Sequence, residues 1–314
     1  MARDAPVHDT VMAGAVIMVR TFSFSKALLA PAMALSLTCA ALAADVADKK
    51  KEPVAPSPAA APAWDMTFGA RIVSDYNFRG ISQSDRKPGI QGYAEITYQW
   101  LYAGIAANTV DLPTKPVAEV DFTYGIRPKF GPLTFDIGMI HYWYPDEKRL
   151  FYPAGTWWTP ANTDFYDIAG KVLYSWEDKV FIGANVFHSP NWLGTGARGT
   201  YVSGTFKVVP PLPIEGLAFS GELGRYDLGR TSASLGSLKL KDYTYWNLGA
   251  SYTYKSATLD LRYHDTTLSK ANCFLNSSDP RGILSGSGQS KWCGAAFIAT
   301  LSLDLSLSGL GLIK

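Results

Sequence analysis

Residues 118–126, AEVDFTYGI, alternate apolar and polar side chains over most of their length. Phe122 and Tyr124 fall on one set of alternate positions, and Glu119 and Asp121 fall on the other. Successive side chains of a β-strand point to opposite faces, so this segment has one apolar face and one charged face. The same alternation recurs along most of the chain, and it decides the predicted fold.

About twelve segments show the pattern, and most are near the 9–11 residues that cross a bilayer as tilted strands. No stretch shows sustained helical periodicity. The sequence therefore predicts an all-β fold, a closed antiparallel up-and-down transmembrane β-barrel of about twelve strands. We place the strands at residues 66–80, 89–99, 101–109, 117–127, 133–144, 164–175, 179–187, 199–208, 217–227, 242–254, 257–266 and 295–308.

The connections between these segments alternate in length. Short ones, such as 99–101 and 255–257, are followed by mostly longer ones, such as 145–163 and 267–294. Outer-membrane barrels have short periplasmic turns and longer external loops. An even number of strands then leaves both chain termini in the periplasm.

Tyrosine and tryptophan residues occur near the predicted strand ends, among them Tyr98, Trp100, Trp176 and Tyr254. These side chains are enriched at the membrane–water interface, where the ring is half desolvated and the polar tip stays hydrated. A soluble β-barrel or sandwich is the alternative, since its strands also end in aromatics. The export signal described below, the charged second face and the alternating loop lengths weigh against it.

Composition excludes several classes of protein. Of the 314 residues, 47% are hydrophobic and only 18% are charged, whereas disordered chains combine low hydrophobicity with high net charge. The formal net charge is +2 and no basic patch stands out, so nucleic acid is not an expected partner. Beyond the N-terminal region no apolar run reaches about 20 residues, which excludes a helical membrane protein.

The N-terminal region predicts export. An apolar stretch ends at Ala41–Ala43 in an A-x-A pattern, so we expect cleavage after the last of these residues. Met18 lies at a normal distance upstream, and in one interpretation residues 1–17 are an over-extended start. The next segment is rich in proline and alanine and predicts an extended periplasmic linker. The chain thus divides into a signal peptide, a linker and a barrel, at residues 1–43, 44–63 and 64–314.

Two segments are the most distinctive, Ser74–Gln83 (SDYNFRGISQ) and Asp136–Gly138 leading to Tyr142–Pro145 (YWYP). With them go Leu101–Ile105, Ser189–Trp192, Gly224–Tyr226, Asp242–Asn247 and Leu301–Leu305. In these segments the chain resembles the TorF-family porins of proteobacteria, over nearly all of the predicted barrel. The resemblance implies an outer-membrane pore and carries over no catalytic residue. One departure is the end of the chain at Lys314, because outer-membrane barrels often end on an aromatic residue.

The charged face of the predicted strands would line the lumen. A lipid-facing Arg or Lys costs about 2–4 kcal/mol at the bilayer midplane, so these charges belong inside. Acidic residues outnumber basic ones, and rings of carboxylates favour cations in a pore. The lumen-lining and selectivity candidates are Arg71, Asp75, Arg79, Glu95, Glu119, Asp121, Asp136, Asp167, Lys171, Lys207, Glu222, Asp260, Arg262 and Asp304.

The predicted function is passive diffusion of ions or small solutes, with a weak cation preference. The alternative is a closed barrel with a structural, adhesive or partner-binding role through its external loops. Eight strands fill a barrel interior with side chains and sixteen leave a channel, so twelve strands do not decide between the two. Expected partners are outer-membrane lipid, small solutes or ions, and the barrel-assembly machinery, and the oligomeric state stays open.

Cys273 and Cys293 predict a disulfide in the last long loop, since exported thiols tend to pair. No histidine or further cysteine lies near them in the sequence, so no metal is predicted, and no motif implies a cofactor. His188 and Ser189 raise a third alternative, an outer-membrane lipid hydrolase. Adjacent strand residues point to opposite faces and rarely form a nucleophile–base pair, which disfavours an enzyme.

Overall fold

The computed structural model describes residues 63–152, 156–157 and 159–313. The predicted signal peptide (1–43) and residues 44–62 of the predicted linker lie outside the described residues. The fold below is therefore that of the segment predicted to form the barrel.

Twelve antiparallel strands form a closed ring. Each strand pairs with its neighbours in sequence, and the last pairs with the first, with Val73 opposite Thr300 and Thr67 opposite Ser306. The predicted closed up-and-down barrel is confirmed. The strands are β1 (Trp64–Val73), β2 (Gly89–Tyr98), β3 (Leu101–Asn108), β4 (Glu119–Ile126), β5 (Leu133–Trp143), β6 (Phe165–Trp176), β7 (Val180–Ser189), β8 (Gly199–Val208), β9 (Leu217–Leu228), β10 (Tyr243–Tyr254), β11 (Ala257–Thr266) and β12 (Ala296–Ser306).

The remaining elements are short and lie in connections. They are the two-residue strands Lys129–Phe130, Asn77–Phe78, Ile81–Ser82, Phe151–Tyr152 and Thr156–Trp157, the 3-10 turns Trp192–Gly194 and Ala233–Leu235, and the helices α1 (Lys270–Ser277) and α2 (Pro280–Leu284). Both helices fall in a connection that the sequence predicts without helical structure, since eight and five residues are too short to show a helical period. Nowhere in the described ranges does a helix combine the length and the apolar character needed to cross a bilayer.

The two faces of the wall differ in polarity, as the alternation predicts. On the outer face, Ile72 and Ile137 are each 58% exposed and Leu261 is 55% exposed. On the inner face, Asp136 is 4% exposed and Ser302 is 7% exposed. An apolar surface that surrounds the whole barrel exceeds the patches normal on a soluble monomer, so it marks a surface that water does not cover in the working protein.

Turns at the two ends of the barrel differ in length. Two-residue and other short connections join the strands at the end that also holds Ala63, which we call the short-turn end. Connections at the opposite end are longer and define the long-loop end. They comprise residues 74–88, 109–118, 144–164, 190–198, 229–242 and 267–295.

The first strand is shorter than the predicted span of 66–80, because it ends at Val73. Residues 74–88 instead turn into the barrel, and we call them the lumen loop. Their alternation of polar and aromatic residues imitates a strand, but Asn77 Oδ1 accepts a hydrogen bond from the Gly80 amide at 2.9 Å and holds a tight turn. Tyr76, which the pattern places on the outer face, donates to Glu119 Oε1 inside the barrel at 2.5 Å.

Candidate functional site in the lumen

The inner wall near the long-loop end is aromatic. The inward-pointing rings lie on the six consecutive strands β5 to β10, except Tyr144, which directly follows β5. Each of these residues is 5% exposed or less. They are Tyr142, Tyr144, Phe165, Phe187, Tyr201, Tyr226, Tyr243 and Tyr245. Aromatic side chains bury large areas and prefer edge-to-face or offset contacts. The ring centres of Tyr201 and Tyr226 lie 5.5 Å apart in an edge-to-face arrangement.

The lumen loop crosses the barrel and ends against this wall. It leaves β1, yet Arg79 in its turn donates to Asp167 on β6 at 2.7 Å and to the hydroxyl of Tyr226 on β9 at 3.0 Å. In a ring of twelve strands, the strands opposite β1 are those around β7. The loop therefore spans the lumen from one side to the other.

Aromatic rings surround the Arg79 guanidinium on several sides. Its central carbon lies 4.6 Å from the ring centre of Phe78, 4.5 Å from Phe187, 4.8 Å from Tyr201 and 5.1 Å from Tyr226. A cation over a ring face gains about 0.5–2 kcal/mol, with the larger values in desolvated sites. The side chain of Arg79 is 7% exposed and that of Asp167 is 1% exposed, so the guanidinium lies in a desolvated site.

The turn that presents Arg79 needs an unusual backbone. Arg79 has a φ of 47° and Gly80 has a φ of 89°. A Cβ on Gly80 would lie 2.1 Å from Cγ2 of Thr266, so both the conformation and the close contact require glycine here. Tyr243 fixes the same turn by donating its hydroxyl to the carbonyl of Arg79 at 3.0 Å.

A second set of contacts ties the lumen loop to the last long loop. The Ser82 amide donates to the carbonyl of Trp292 at 2.8 Å, and Trp292 Nε1 donates to Asp85 Oδ1 at 2.7 Å. The predicted disulfide between Cys273 and Cys293 is present in that last loop. The lumen loop is thus held at its tip by the opposite wall and at its base by a cross-linked neighbour.

Towards the short-turn end the inner wall carries ion pairs. Arg127 donates to both carboxylate oxygens of Glu95, at 2.8 and 3.2 Å, and to Asp136 at 3.2 Å. Lys171 reaches the same Asp136 at 3.5 Å, and the Tyr102 hydroxyl donates to it at 2.8 Å. Glu95 and Asp136 are therefore neutralised by cations.

The opposite side of the lumen has a comparable cluster around Arg262. The guanidinium donates to Asp260 at 2.8 Å, to Asn247 Oδ1 at 2.6 Å and to Ser220 Oγ at 2.7 Å. Nearby, Glu222 accepts a hydrogen bond from the Tyr201 hydroxyl at 2.8 Å. This cluster links the charged half of the lumen to the aromatic half, because Tyr201 also lines the Arg79 site.

Some inner-wall carboxylates have neutral donors instead of cations. Glu119 accepts from Tyr76, from Tyr144 at 2.8 Å and from Asn108 at 3.0 Å. The same Asn108 amide reaches Asp121 at 2.9 Å. Within the described residues no Lys or Arg nitrogen lies within 4.0 Å of either carboxylate. These two neighbours on β4 therefore have hydrogen-bond donors but no direct ion pair in this part of the chain.

Asp304 on β12 is held in the same way, accepting from Tyr93 at 2.9 Å and from Ser302 at 3.1 Å. Arg71 lies on the neighbouring strand β1, at the position opposite Ser302. Lys207 lies on β8 with its ammonium 5.7 Å from the ring of Phe181. These residues extend the polar wall towards the short-turn end.

Twelve of the fourteen predicted lumen residues lie on barrel strands. The other two, Asp75 and Arg79, belong to the lumen loop, which corrects their placement on the wall. The lumen residues predicted from the sequence do not include Arg127, the last residue of the predicted strand 117–127, although it continues the inward positions of Asp121 and Thr123. The aromatic half of the lumen was missed too, because inward positions were equated with polar residues.

Residues 57–282 match the sequence profile of a family described as "Bacterial protein of unknown function (Gcw_chp)". The chain belongs to this family. No curated protein matches the sequence. Solved structures that the Gcw_chp chain resembles include the KdgM porin, at 6% identity and a TM-score of 0.44, over 76% of this chain and 98% of that one.

Two further solved structures are similar to this Gcw_chp barrel. The NanC porin matches at 12% identity with a TM-score of 0.45, over 77% of this chain and 100% of that chain. OccAB1 of Acinetobacter baumannii matches at 11% identity with a TM-score of 0.39, over 72% of this chain and 61% of that chain.

The His188–Ser189 pair of this Gcw_chp protein does not form the arrangement that a hydrolase needs. Ser189 is fully buried, and its Oγ has no hydrogen-bond partner within the described residues. His188 instead pairs through Nδ1 with Thr200 Oγ1 at 2.9 Å. A nucleophile needs its base within hydrogen-bond reach, so this geometry gives no support to the hydrolase alternative.

Proposed function

We propose that this Gcw_chp protein is an outer-membrane channel for ions or small hydrophilic solutes. The observation that carries the proposal is the closed twelve-strand ring with an apolar outer face and a polar inner face. A closed barrel leaves no backbone groups unpaired, so it can stand in lipid. Its polar interior offers a path for solutes that lipid excludes.

The lumen loop sets the width of this path. Because it crosses from β1 to the aromatic wall, solutes pass beside it or move it aside. The proposal therefore includes a small conductance, restricted to ions and compact solutes. The ion pair of Arg79 with Asp167 holds this constriction in place.

A weak cation preference belongs to the proposal. Glu119, Asp121, Glu222 and Asp304 receive hydrogen bonds from hydroxyl and amide donors, whereas Asp136 and others are matched by Arg or Lys. Ionised carboxylates without a direct cation partner would make the lumen potential negative, and such groups favour cations in a pore.

The placement of the chain is proposed with the function. Residues 1–43 direct export and are removed, residues 44–63 form a periplasmic linker, and both termini of the barrel face the periplasm. The resemblance to the TorF-family porins supports the same assignment. Mass spectrometry of the protein from an outer-membrane fraction should give a mature chain that starts at Ala44, and a chain that retains residues 18–43 would contradict the removal.

A closed barrel that binds a partner through its external loops is the second candidate. It is favoured by the same lumen loop, because Arg79 is buried among aromatic rings and the loop is tied to the disulfide-bonded segment. Such a barrel would have no ion path. Conductance therefore separates the two candidates.

The deciding experiment is single-channel recording of the refolded protein in a planar bilayer. A heat-dependent shift on a gel verifies beforehand that the barrel has formed. Discrete ohmic steps are expected, with a reversal potential under a salt gradient that favours cations. No current from a folded barrel would overturn the channel in favour of the closed barrel, and anion selectivity would overturn the cation preference alone.

A further inference from the structure

A pocket of about 440 Å³ opens at the long-loop end, where β1 meets β12. It is lined by Ser74, which follows β1, by Phe297 near the start of β12, by Lys270 and Lys291 from the last long loop, and by Arg86 from the lumen loop. No step of the proposed conduction uses this pocket.

One side of the pocket lies on the outer face of the barrel, where Phe297 contributes to its lining. Phe297 is 83% exposed and shares alternate positions with the outward-facing Leu301 and Leu303. Its ring lies 4.9 Å from that of Tyr263, which lies 5.3 Å from the ring of Trp246. These three rings form an aromatic strip of the kind found where a membrane barrel leaves the hydrocarbon region.

Positive charge lies directly beyond this strip. Lys270 and Lys291 are exposed, and within the described part of the chain neither ammonium has a carboxylate within 4.0 Å. Arg86 is held against the pocket, since it donates to the carbonyls of Lys291 at 3.1 Å and Gly294 at 3.3 Å. Lys270 is also the first residue of α1, whose N-terminus adds partial positive charge.

One acidic residue, Asp75, is among the residues that line the pocket. This residue is 6% exposed, and its carboxylate already accepts from Ser82 at 2.6 Å and from Ser84 at 3.0 Å, with Arg86 at 3.4 Å. Burial raises the pKa of Asp75, against the lowering effect of these hydrogen bonds and of the guanidinium. The lining is therefore positive overall, with the lysines as its accessible charges.

We propose that this pocket binds a phosphorylated glycolipid of the outer leaflet. Its phosphates would contact Lys270 and Lys291, and an acyl chain would lie along Phe297. The inference rests on the proposed outer-membrane placement, with the long loops outside. The combination of exposed ammonium groups and an exposed ring on the outer wall suits an amphipathic anion, whereas a free anion would have no use for the apolar side.

The test is binding of diphosphorylated lipid A to the purified full-length barrel in neutral detergent. The double variant Lys270→Gln/Lys291→Gln should bind about thirty-fold more weakly, since each lysine near an anionic lipid surface contributes about five-fold. The matched control is Lys179→Gln/Lys255→Gln, which removes two exposed lysines from the short-turn end. It should bind as the wild type does.

Three outcomes would overturn the inference: equal weakening in both double variants, full competition by millimolar inorganic phosphate, or equally tight binding of uncharged diacylglycerol, which has no phosphate. The first would mean unspecific charge attraction, the second a free-anion site, and the third an apolar contact without headgroup recognition. Conductance is recorded on the same samples. A conducting barrel that does not bind lipid A would refute this inference alone, and a barrel that binds lipid A without conducting would refute the channel alone.

Discussion

Replacement of Arg79 by alanine should release the lumen loop. The substitution removes the ion pair with Asp167 at 2.7 Å and the hydrogen bond to Tyr226 at 3.0 Å. It leaves the carboxylate of Asp167 buried without a counter-charge. Undocking of the loop would let water reach that carboxylate, so the substitution favours the undocked state.

The size of the effect follows from the burial of the pair. Loss of one partner from a buried ion pair costs about 3–5 kcal/mol. The two side chains are 7% and 1% exposed, so solvent screening reduces this little. At about 1.4 kcal/mol for each factor of ten, the ratio of docked to undocked loop should fall by about two to nearly four powers of ten.

Single-channel recording measures this change. Arg79→Ala should show larger or longer open states than the wild type, and its barrel should lose heat resistance on a gel. Addition of Asp167→Asn should restore part of that heat resistance, because it removes the uncompensated charge. The matched control is Arg225→Ala, which breaks a pair of the same residue types at 3.0 Å with side chains 54% and 62% exposed, where pairs contribute little. The reasoning is refuted if Arg79→Ala conducts and melts like Arg225→Ala.

Three further predictions follow from other parts of the barrel. Replacement of Cys273 and Cys293 by serine should speed trypsin cleavage within residues 267–294, since cross-linking a loop of this length is worth about 3 kcal/mol; an unchanged digestion rate would contradict this. Glu119→Gln should lower the cation-to-anion permeability ratio from reversal potentials, and a ratio equal to that of the wild type would count against a negative lumen. Ile137→Arg should reduce the yield of barrel folded in lipid vesicles, because Arg at the bilayer midplane costs about 2–4 kcal/mol, and undiminished folding would argue against an outer face in lipid.

Strand positions could be predicted well because two independent patterns agree. Residues 257–266 are predicted as a strand and form β11 without a shift in either bound, and 89–99 differs from β2 by one residue. The period of two determines on which face of the barrel wall each side chain lies, and the short turns determine where each strand ends. Both are local properties of the sequence, so they can be read without knowledge of the fold.

The lumen loop could not be predicted in this way. Asp75, Asn77 and Arg79 alternate with Tyr76 and Phe78, so local periodicity extends the first strand into residues that leave it. These residues leave the wall because Arg79 contacts Asp167 and Tyr226, which lie 88 and 147 positions after it in the chain. Such contacts exist only after the ring closes.

The inner aromatic wall is an intermediate case. Tyr201 and Tyr226 share alternate positions with the polar Ser203 and with Gly224, so their inward direction was available from parity. Their function was not available from parity, because it depends on the Arg79 guanidinium that these rings surround. Arg127 shows the same limit, because its two carboxylate partners come from β2 and β5.

The ties between the lumen loop and the last long loop bear on how the barrel resists being opened. Of the twelve neighbouring strand pairs, β12 with β1 is the one that no turn joins, so it is the seam where the ring would part. The lumen loop leaves β1 and the last long loop enters β12, and the bond from Trp292 to Asp85 therefore crosses above that seam. Because the disulfide anchors the last long loop, these contacts oppose lateral separation of the first and last strands.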